Sequence, residues 1–288
     1  MTTVFWQPFI WEGETLGDRY FPHAAMYVEG VLPALDDLSG WYQFDLGAPR
    51  SMLYGRTFTP EQQERIETHL LPDRQAILNG QPYPVLDLAL RVGPWTLDKG
   101  VIWFSDFGDP EPDQEGRLNL GTVGADFVGG AVLAIDYPGQ RLSRLDEVPP
   151  EWEEQAQWVP LRVTEHGLIL LQIHLDGRPT WMGFDTGSSI FHLITDDEYW
   201  AMWTDREVQD TLPIPAWGKI LTVYGARPRV SLTLGDRSLD VPLVYYRTDP
   251  GWSAFLRRYD VGGLMGNAPF LDTQIILDFP GKRFGVMR

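Results

Sequence analysis

Apolar residues in this chain come in short runs, some alternating with polar positions and some continuous, each cut off by glycine or proline. Leu86-Asp87-Leu88-Ala89-Leu90-Arg91-Val92 and Val230-Ser231-Leu232-Thr233-Leu234 alternate, which places their apolar side chains on one face of a strand. The chain is therefore predicted to be all-β, made of short strands and tight turns with few short helices. Two continuous runs end alike, as Val132-Leu133-Ala134-Ile135-Asp136-Tyr137-Pro138-Gly139 and Ile275-Ile276-Leu277-Asp278-Phe279-Pro280-Gly281. Pro followed by Gly suits the centre of a type II turn, so Asp136 and Asp278 read as turn residues and not as catalytic ones. Helix is expected at Thr59-Pro60-Glu61-Gln62, where Thr is the N-cap and Pro the first helical residue. A second is expected from the capping box Thr195-Asp196-Asp197-Glu198 to about Trp203.

These paired features belong to one internal repeat. Trp41-Tyr42-Gln43-Phe44-Asp45-Leu46-Gly47 recurs as Trp181-Met182-Gly183-Phe184-Asp185-Thr186-Gly187, 140 residues later. Gly121-Thr122-Val123-Gly124 recurs as Gly263-Leu264-Met265-Gly266, and Val92–Phe104 as Leu234–Tyr246, both at an offset of 142. A tandem duplication explains all three matches and predicts two lobes, 1–150 and 151–288. The boundary falls in the acidic, proline-interrupted stretch Asp146–Glu154.

Charge and composition narrow the chemistry. A formal net charge of −17 offers no cationic footprint for nucleic acid or an anionic membrane. The absence of cysteine excludes disulfides, thiolate nucleophiles and thiolate metal sites. The five histidines (His23, His69, His166, His174 and His192) are dispersed without ligand spacing, so no metal is expected. Neither a Gly-x-Ser-x-Gly elbow nor a phosphate-cradling loop nor a dinucleotide fingerprint occurs, so no cofactor is expected. The tryptophans are scattered through both repeats, which favours core packing over a carbohydrate platform. With no basic leader and no membrane-length apolar run, a bacterial-style cytoplasmic protein is the expectation.

The repeated Asp-x-Gly turns carry the candidate chemistry. Each aspartate ends an apolar strand, and the glycine two residues later allows a tight turn whose amides can bond the carboxylate. If a pseudo-twofold axis relates the lobes, Asp45 and Asp185 meet there, within reach of one shared water. Two carboxylates that close share one proton, so one can act as base and the other as acid.

In these residues the chain resembles the pepsin-like and retropepsin-like aspartic proteases, whose lobes each carry Asp-Thr/Ser-Gly and a later hydrophobic-hydrophobic-Gly strand. The second lobe matches in Asp185-Thr186-Gly187-Ser188-Ser189 and Leu264-Met265-Gly266; the first matches less closely in Asp45-Leu46-Gly47-Ala48-Pro49 and Thr122-Val123-Gly124. The resemblance spans about residues 26–287 and implies a bilobal, single-chain β fold and hydrolysis of peptide or protein substrates in the cleft between lobes. Asp45 and Asp185 would be catalytic, with Gly47, Thr186, Gly187 and Ser188 supporting the dyad. The family's Thr after each aspartate braces the opposite loop, a role open to Thr186 and closed to Leu46. Leu46 is therefore expected to pack against apolar neighbours near the axis, with the Thr186 hydroxyl satisfied by first-lobe backbone. Ser188 could donate to Asp185 whereas Ala48 offers Asp45 no side-chain donor, so Asp45 is expected to hold the proton more tightly. A flap is expected near the hairpin signal Asn79-Gly80, with Tyr83 beside it, and in the other lobe at Trp217-Gly218. The missing hydroxyls beside Asp45 leave a second reading open, a relative with little or no activity that binds a peptide or protein in the same cleft.

Overall fold

A computed structural model describes residues 4–288 except 79, 99, 114, 217 and 218. The first half opens with β1 (Gln7–Leu16), β2 (Arg19–Leu32), β3 (Leu38–Phe44) and β4 (Met52–Tyr54). After α1 (Pro60–Glu67) come β5 (Leu70–Leu78), β6 (Gln81–Leu86), β7 (Leu90–Val92), β8 (Trp95–Leu97) and β9 (Val101–Phe104). β10 (Asn119–Val123), β11 (Val132–Asp136) and β12 (Arg141–Leu145) complete it. Helix α2 (Pro150–Gln155) leads into β13 (Ala156–Val163), β14 (Ile169–Leu175), β15 (Arg178–Phe184) and β16 (Leu193–Thr195). α3 (Asp197–Trp203) precedes β17 (Asp210–Ala216), β18 (Lys219–Ala226), β19 (Leu232–Leu234), β20 (Arg237–Ser238) and β21 (Val244–Arg247). α4 (Pro250–Tyr259), β22 (Leu264–Met265), β23 (Gln274–Asp278) and β24 (Arg283–Met287) end the chain.

Each strand of the first half has its counterpart twelve strands on. β3 runs parallel to β10 as β15 does to β22, and β4 parallel to β9 as β16 does to β21. The antiparallel steps β10 to β4 and β22 to β16 are likewise equivalent. One sheet takes strands from both halves, in the order β1, β12, β11, β23, β24, β13. Its middle pair, β11 and β23, runs antiparallel with Ala134 opposite Ile276. Leu133, Ala134, Ile135, Ile275, Ile276 and Leu277 are all inaccessible to solvent, which is why these segments read as continuous apolar runs. Each large aliphatic side chain buried there stabilises the fold by about 1.5–3 kcal/mol.

Local chemistry accounts for the helix starts. At α1 the Thr59 hydroxyl accepts from the Gln62 amide (3.3 Å) while the Gln62 side chain accepts from the Thr59 amide (2.9 Å), closing a capping box. At α3 the cap is one residue later than the sequence pattern predicts. Asp196 Oδ1 accepts from the Tyr199 amide (3.0 Å), whereas Thr195 belongs to β16 and donates its hydroxyl to the Gly262 carbonyl (2.5 Å). Helix α4 sets Trp252, Phe255, Leu256 and Tyr259 at the apolar spacing i, i+3, i+4, i+7, and it carries a start signal in Asp249, whose carboxylate caps the Gly251 amide (2.8 Å), followed by Pro250 at the first turn.

The Pro-Gly turns also differ from expectation. The left-handed residues are Gln140 (φ 47°) and Lys282 (φ 52°), not the preceding glycines, so these are not type II turns. Gly139 and Gly281 are needed for another reason: a Cβ there would stand 2.4 and 2.2 Å from the carboxylates of Asp136 and Asp278. Those carboxylates bond the Gly139 and Gly281 amides and the Arg141 and Arg283 side chains, so both aspartates are structural turn residues. Among the described residues no helix is long and apolar enough to cross a membrane.

Candidate active site

The parallel neighbours of β3 and β15 set the two Asp-x-Gly turns. The Asp45 amide donates to the Val123 carbonyl and the Asp185 amide to the Met265 carbonyl, both at 3.0 Å, so each aspartate leaves its strand where the later glycine strand ends. Backbone amides then hold the carboxylates. Asp45 Oδ1 accepts from Gly47 (2.8 Å) and Ala48 (3.2 Å), and Asp185 Oδ1 accepts from Gly187 (2.7 Å) and, across the interface of the halves, from Gly47 (3.1 Å). One amide therefore serves both carboxylates. Each glycine also faces the opposite acid: a Cβ on Gly47 would lie 2.4 Å from Asp185 Cγ, and one on Gly187 2.6 Å from Asp45 Cγ. Glycine is required here for close approach, since neither position has a positive φ.

Thr186 bridges the halves. Its hydroxyl donates to the Phe44 carbonyl (2.8 Å) and accepts from the Leu46 amide (2.9 Å), and both groups are buried. Leu46 is fully buried in the main apolar core, together with Phe44, Val123 and Phe184. Behind the turns the halves use different supports. In the first, Ser51 donates to Asp126 from both its amide (2.8 Å) and its hydroxyl (2.7 Å), while the same hydroxyl accepts from the Gly124 amide (3.0 Å). In the second, Asn267 Nδ2 donates to the Thr186 carbonyl (2.8 Å) and to Ser189 Oγ (2.7 Å), and Tyr137 from the first half donates to Asn267 Oδ1 (2.6 Å).

The electrostatics of the pair follow from burial and from the closeness of the two carboxyls. Burial foremost, then the facing charge of Asp45 and a hydrogen bond with its carboxyl, push Asp185 well above the ordinary carboxylate range, against the opposing pull of the Gly187 and Gly47 amides. Burial thus draws Asp185 toward its protonated form, as expected where two carboxyls share one proton. Among the described residues the Ser188 hydroxyl makes no bond to the Asp185 carboxylate, its amide donating to the Asp185 carbonyl instead (3.2 Å), while Ala48 supplies the Asp45 carboxylate with its backbone amide.

The dyad opens into a cavity of ≈ 490 Å³. Gln43, Met52 and Tyr54 line it from the first half, Ser188, Arg247 and Trp252 from the second, and Glu14 and Leu16 from the β1–β2 hairpin. Tyr54 is bonded through its hydroxyl to Thr122 Oγ1 (2.5 Å). Burial, with the charge of Asp45 adding to it, pushes the phenol up to about 12 against the Thr122 bond, so Tyr54 is a neutral hydrogen-bonding group beside the dyad. Arg247 stacks over Trp252 at 4.5 Å and donates to Asp249 (2.9 Å).

The flap residues are placed less simply. Tyr83 lies on β6 and packs against Phe104 (ring centroids 4.5 Å apart) in a cluster with Val85 and Ile102; it does not line the cavity. Asn79, Trp217 and Gly218 lie outside the described residues. Ile214 on β17 reaches the cavity, so the β17–β18 hairpin of the second half flanks it along with the β1–β2 hairpin of the first. Of the cavity residues, Tyr54 and Arg247 carry no motif in the sequence, Thr122 belongs to the first glycine strand, and Trp252 is foreshadowed by the Asp249-Pro250 helix start and the apolar spacing that follows it.

No family model matches the sequence, and no curated protein matches it. Among solved structures, the chain is similar to conglutin gamma, described as a unique basic 7S globulin from lupine seeds, with a TM-score of 0.53 at 10% identity, covering 99% of this chain and 94% of that one. At that identity the likeness is one of fold alone.

Proposed function

We propose that this chain is an aspartic endopeptidase of the bilobal pepsin-like kind, hydrolysing peptide bonds with a water activated between Asp45 and Asp185. The observation that carries the reading is the single Gly47 amide that bonds both carboxylates, since it holds the two acids against each other at the floor of a cavity. In the reaction, the protonated carboxyl of the pair donates a hydrogen bond to the substrate carbonyl, and the ionised one takes a proton as the water oxygen attacks the carbonyl carbon. The tetrahedral intermediate then breaks its carbon–nitrogen bond as a proton passes to the leaving amine, which regenerates one protonated and one ionised carboxyl. Residues from both halves are needed, because Gly47 and Thr186 reach across to the opposite turn.

The test is a diverse peptide library incubated from acidic to neutral pH, with the double Asp45→Asn, Asp185→Asn variant as control. Cleavage by the wild type alone, with a maximum in the acid to mildly acidic range and tight binding of a statine-type analogue, is the expected result. One observation favours a second reading, a peptide-binding relative without activity: the brace between the turns has a hydroxyl on one side only. A wild type that cleaves nothing, yet captures peptides equally with both aspartates replaced, would establish that reading.

A further inference from the structure

The β1–β2 hairpin is the place where the two halves part company. Phe9 and Leu161 occupy equivalent positions, each donating its amide to the left-handed turn residue, Gln140 or Lys282. From there β1 pairs with β2 through Trp11 and Met26, as β13 pairs with β14 through Val163 and Ile169. The second half then turns back over residues 164–168, whereas the first continues over residues 12–25, nine residues more, to a tip at Gly17 and Asp18.

That tip crosses to the other half. Leu16 is 4% exposed, inside a cluster with Leu212, Val223, Tyr245 and Trp252. Arg19 forms an ion pair with Asp210, and Tyr245 donates to the same Asp210 oxygen (2.6 Å), so the tip is latched to β17 and β21. Glu14 and Leu16, on one face of β1, line the cavity that holds the dyad.

Taking the site as the peptide-hydrolysing cleft proposed above, we infer that the β1–β2 tip is an end wall, which narrows the endopeptidase reading to bonds a few residues from a peptide's N-terminus, that terminus stopping against Leu16 and Glu14. The cavity of ≈ 490 Å³ fits this limit, being of a size that encloses a small ligand of a few residues. The polarity follows from charge. Glu14 has no ion pair among the described residues, while Arg247 is already neutralised by Asp249. The unpaired group at the wall is the Glu14 carboxyl, which burial and then the neighbouring Glu12 draw toward the neutral form, and the partner that would hold it ionised is an α-ammonium group.

The experiment uses peptides with a hydroxyl-bearing isostere at the scissile bond, bound to the full-length protein and followed by calorimetry. Each peptide is extended one residue at a time on its N-terminal or C-terminal side. Extension on the N-terminal side beyond a fixed length should weaken binding by about tenfold or more, while C-terminal extension is tolerated. Replacing residues 12–25 by the turn 164–168 should remove the limit. Because that replacement uncovers Leu212 and Val223, the double variant Arg19→Ala, Asp210→Asn is the second probe; it opens the latch and leaves the apolar residues in place. A wild type that binds N-extended peptides as tightly as short ones overturns the wall while the protease reading stands. If no peptide binds at all, the protease reading falls, and the wall is judged by labelling Ser188→Cys in this cysteine-free chain. A polyethylene-glycol maleimide should then react about tenfold faster once the tip is removed, with a small methanethiosulfonate unaffected; equal rates for the bulky reagent overturn the wall.

Discussion

The two aspartate turns have almost the same backbone and different side chains around it. On the second-half side a single hydroxyl, Thr186 Oγ1, satisfies a buried carbonyl and a buried amide of the first half. On the first-half side Leu46 occupies the matching position with no polar atom and is wholly buried in apolar core. The difference teaches that a crossed polar brace is not the only way to lock two such turns: the Thr186 hydroxyl holds the polar groups of the first loop, while the Asn267 amide and the packing of Leu46 hold the second. The carboxylates themselves depend on backbone amides, which no side-chain substitution removes.

The comparison breaks most sharply at the acids. Asp45→Asn and Asp185→Asn should each reduce peptide cleavage by about 10³-fold or more while leaving circular dichroism unchanged, because each removes one member of the acid–base pair and keeps its shape. Survival of activity in either variant would show that the halves do not act as one unit. Next come the glycines. Gly47→Ala and Gly187→Ala each drive a methyl into the opposite carboxylate and should cost about 10²-fold in kcat/KM. Gly47→Ala should be the worse of the two, since its amide serves both acids.

Position 46 against 186 gives a smaller effect, read in urea unfolding. Thr186→Val leaves the Leu46 amide and the Phe44 carbonyl without their hydroxyl partner and should cost about 2–3 kcal/mol. Leu46→Thr should cost about 2 kcal/mol by removing buried apolar volume, yet leave cleavage near the wild-type rate, as the Thr186 bond is untouched. The smallest effect is in pH. Asp185 is held above its unfolded value, so the stability it contributes is full below the ordinary carboxylate range and is lost as pH rises through the raised value. The melting temperature of the wild type should therefore fall relative to Asp185→Asn as pH rises above the ordinary carboxylate range.

Much of this architecture is legible in the residues. The alternating and continuous apolar runs become strands, the Thr59 capping box starts α1 where it is expected, and the repeated Asp-x-Gly turns come together as a pair. What escapes a reading of the sequence does so for physical reasons. The burial that raises Asp185 is a property of the folded pair, so counting hydroxyls near Asp45 and Asp185 does not reveal it. Tyr54 and Thr122 meet only through the pairing of β10 with β4. The hairpin tip is invisible to a repeat search because its extra residues have no counterpart to align with, and Tyr83 fails as a cavity residue because β6 turns it toward Phe104. The Asp249-Pro250 start of α4, by contrast, is a signal that capping rules alone could have found.

The strand pair at the centre of the shared sheet has one more consequence. β11 and β23 are each other's neighbours, so either half expressed alone would present its innermost strand as an open edge with nothing to cover it. That edge is apolar and unbroken by charge over Val132–Ile135 in one half and Ile275–Leu277 in the other. Its nearest substitute partner is the same strand of a second copy, met antiparallel about a true twofold axis. A severed half is therefore expected to leave solution as a symmetric dimer or as aggregate, and the covalent link through α2 is what keeps one chain's two edges for each other.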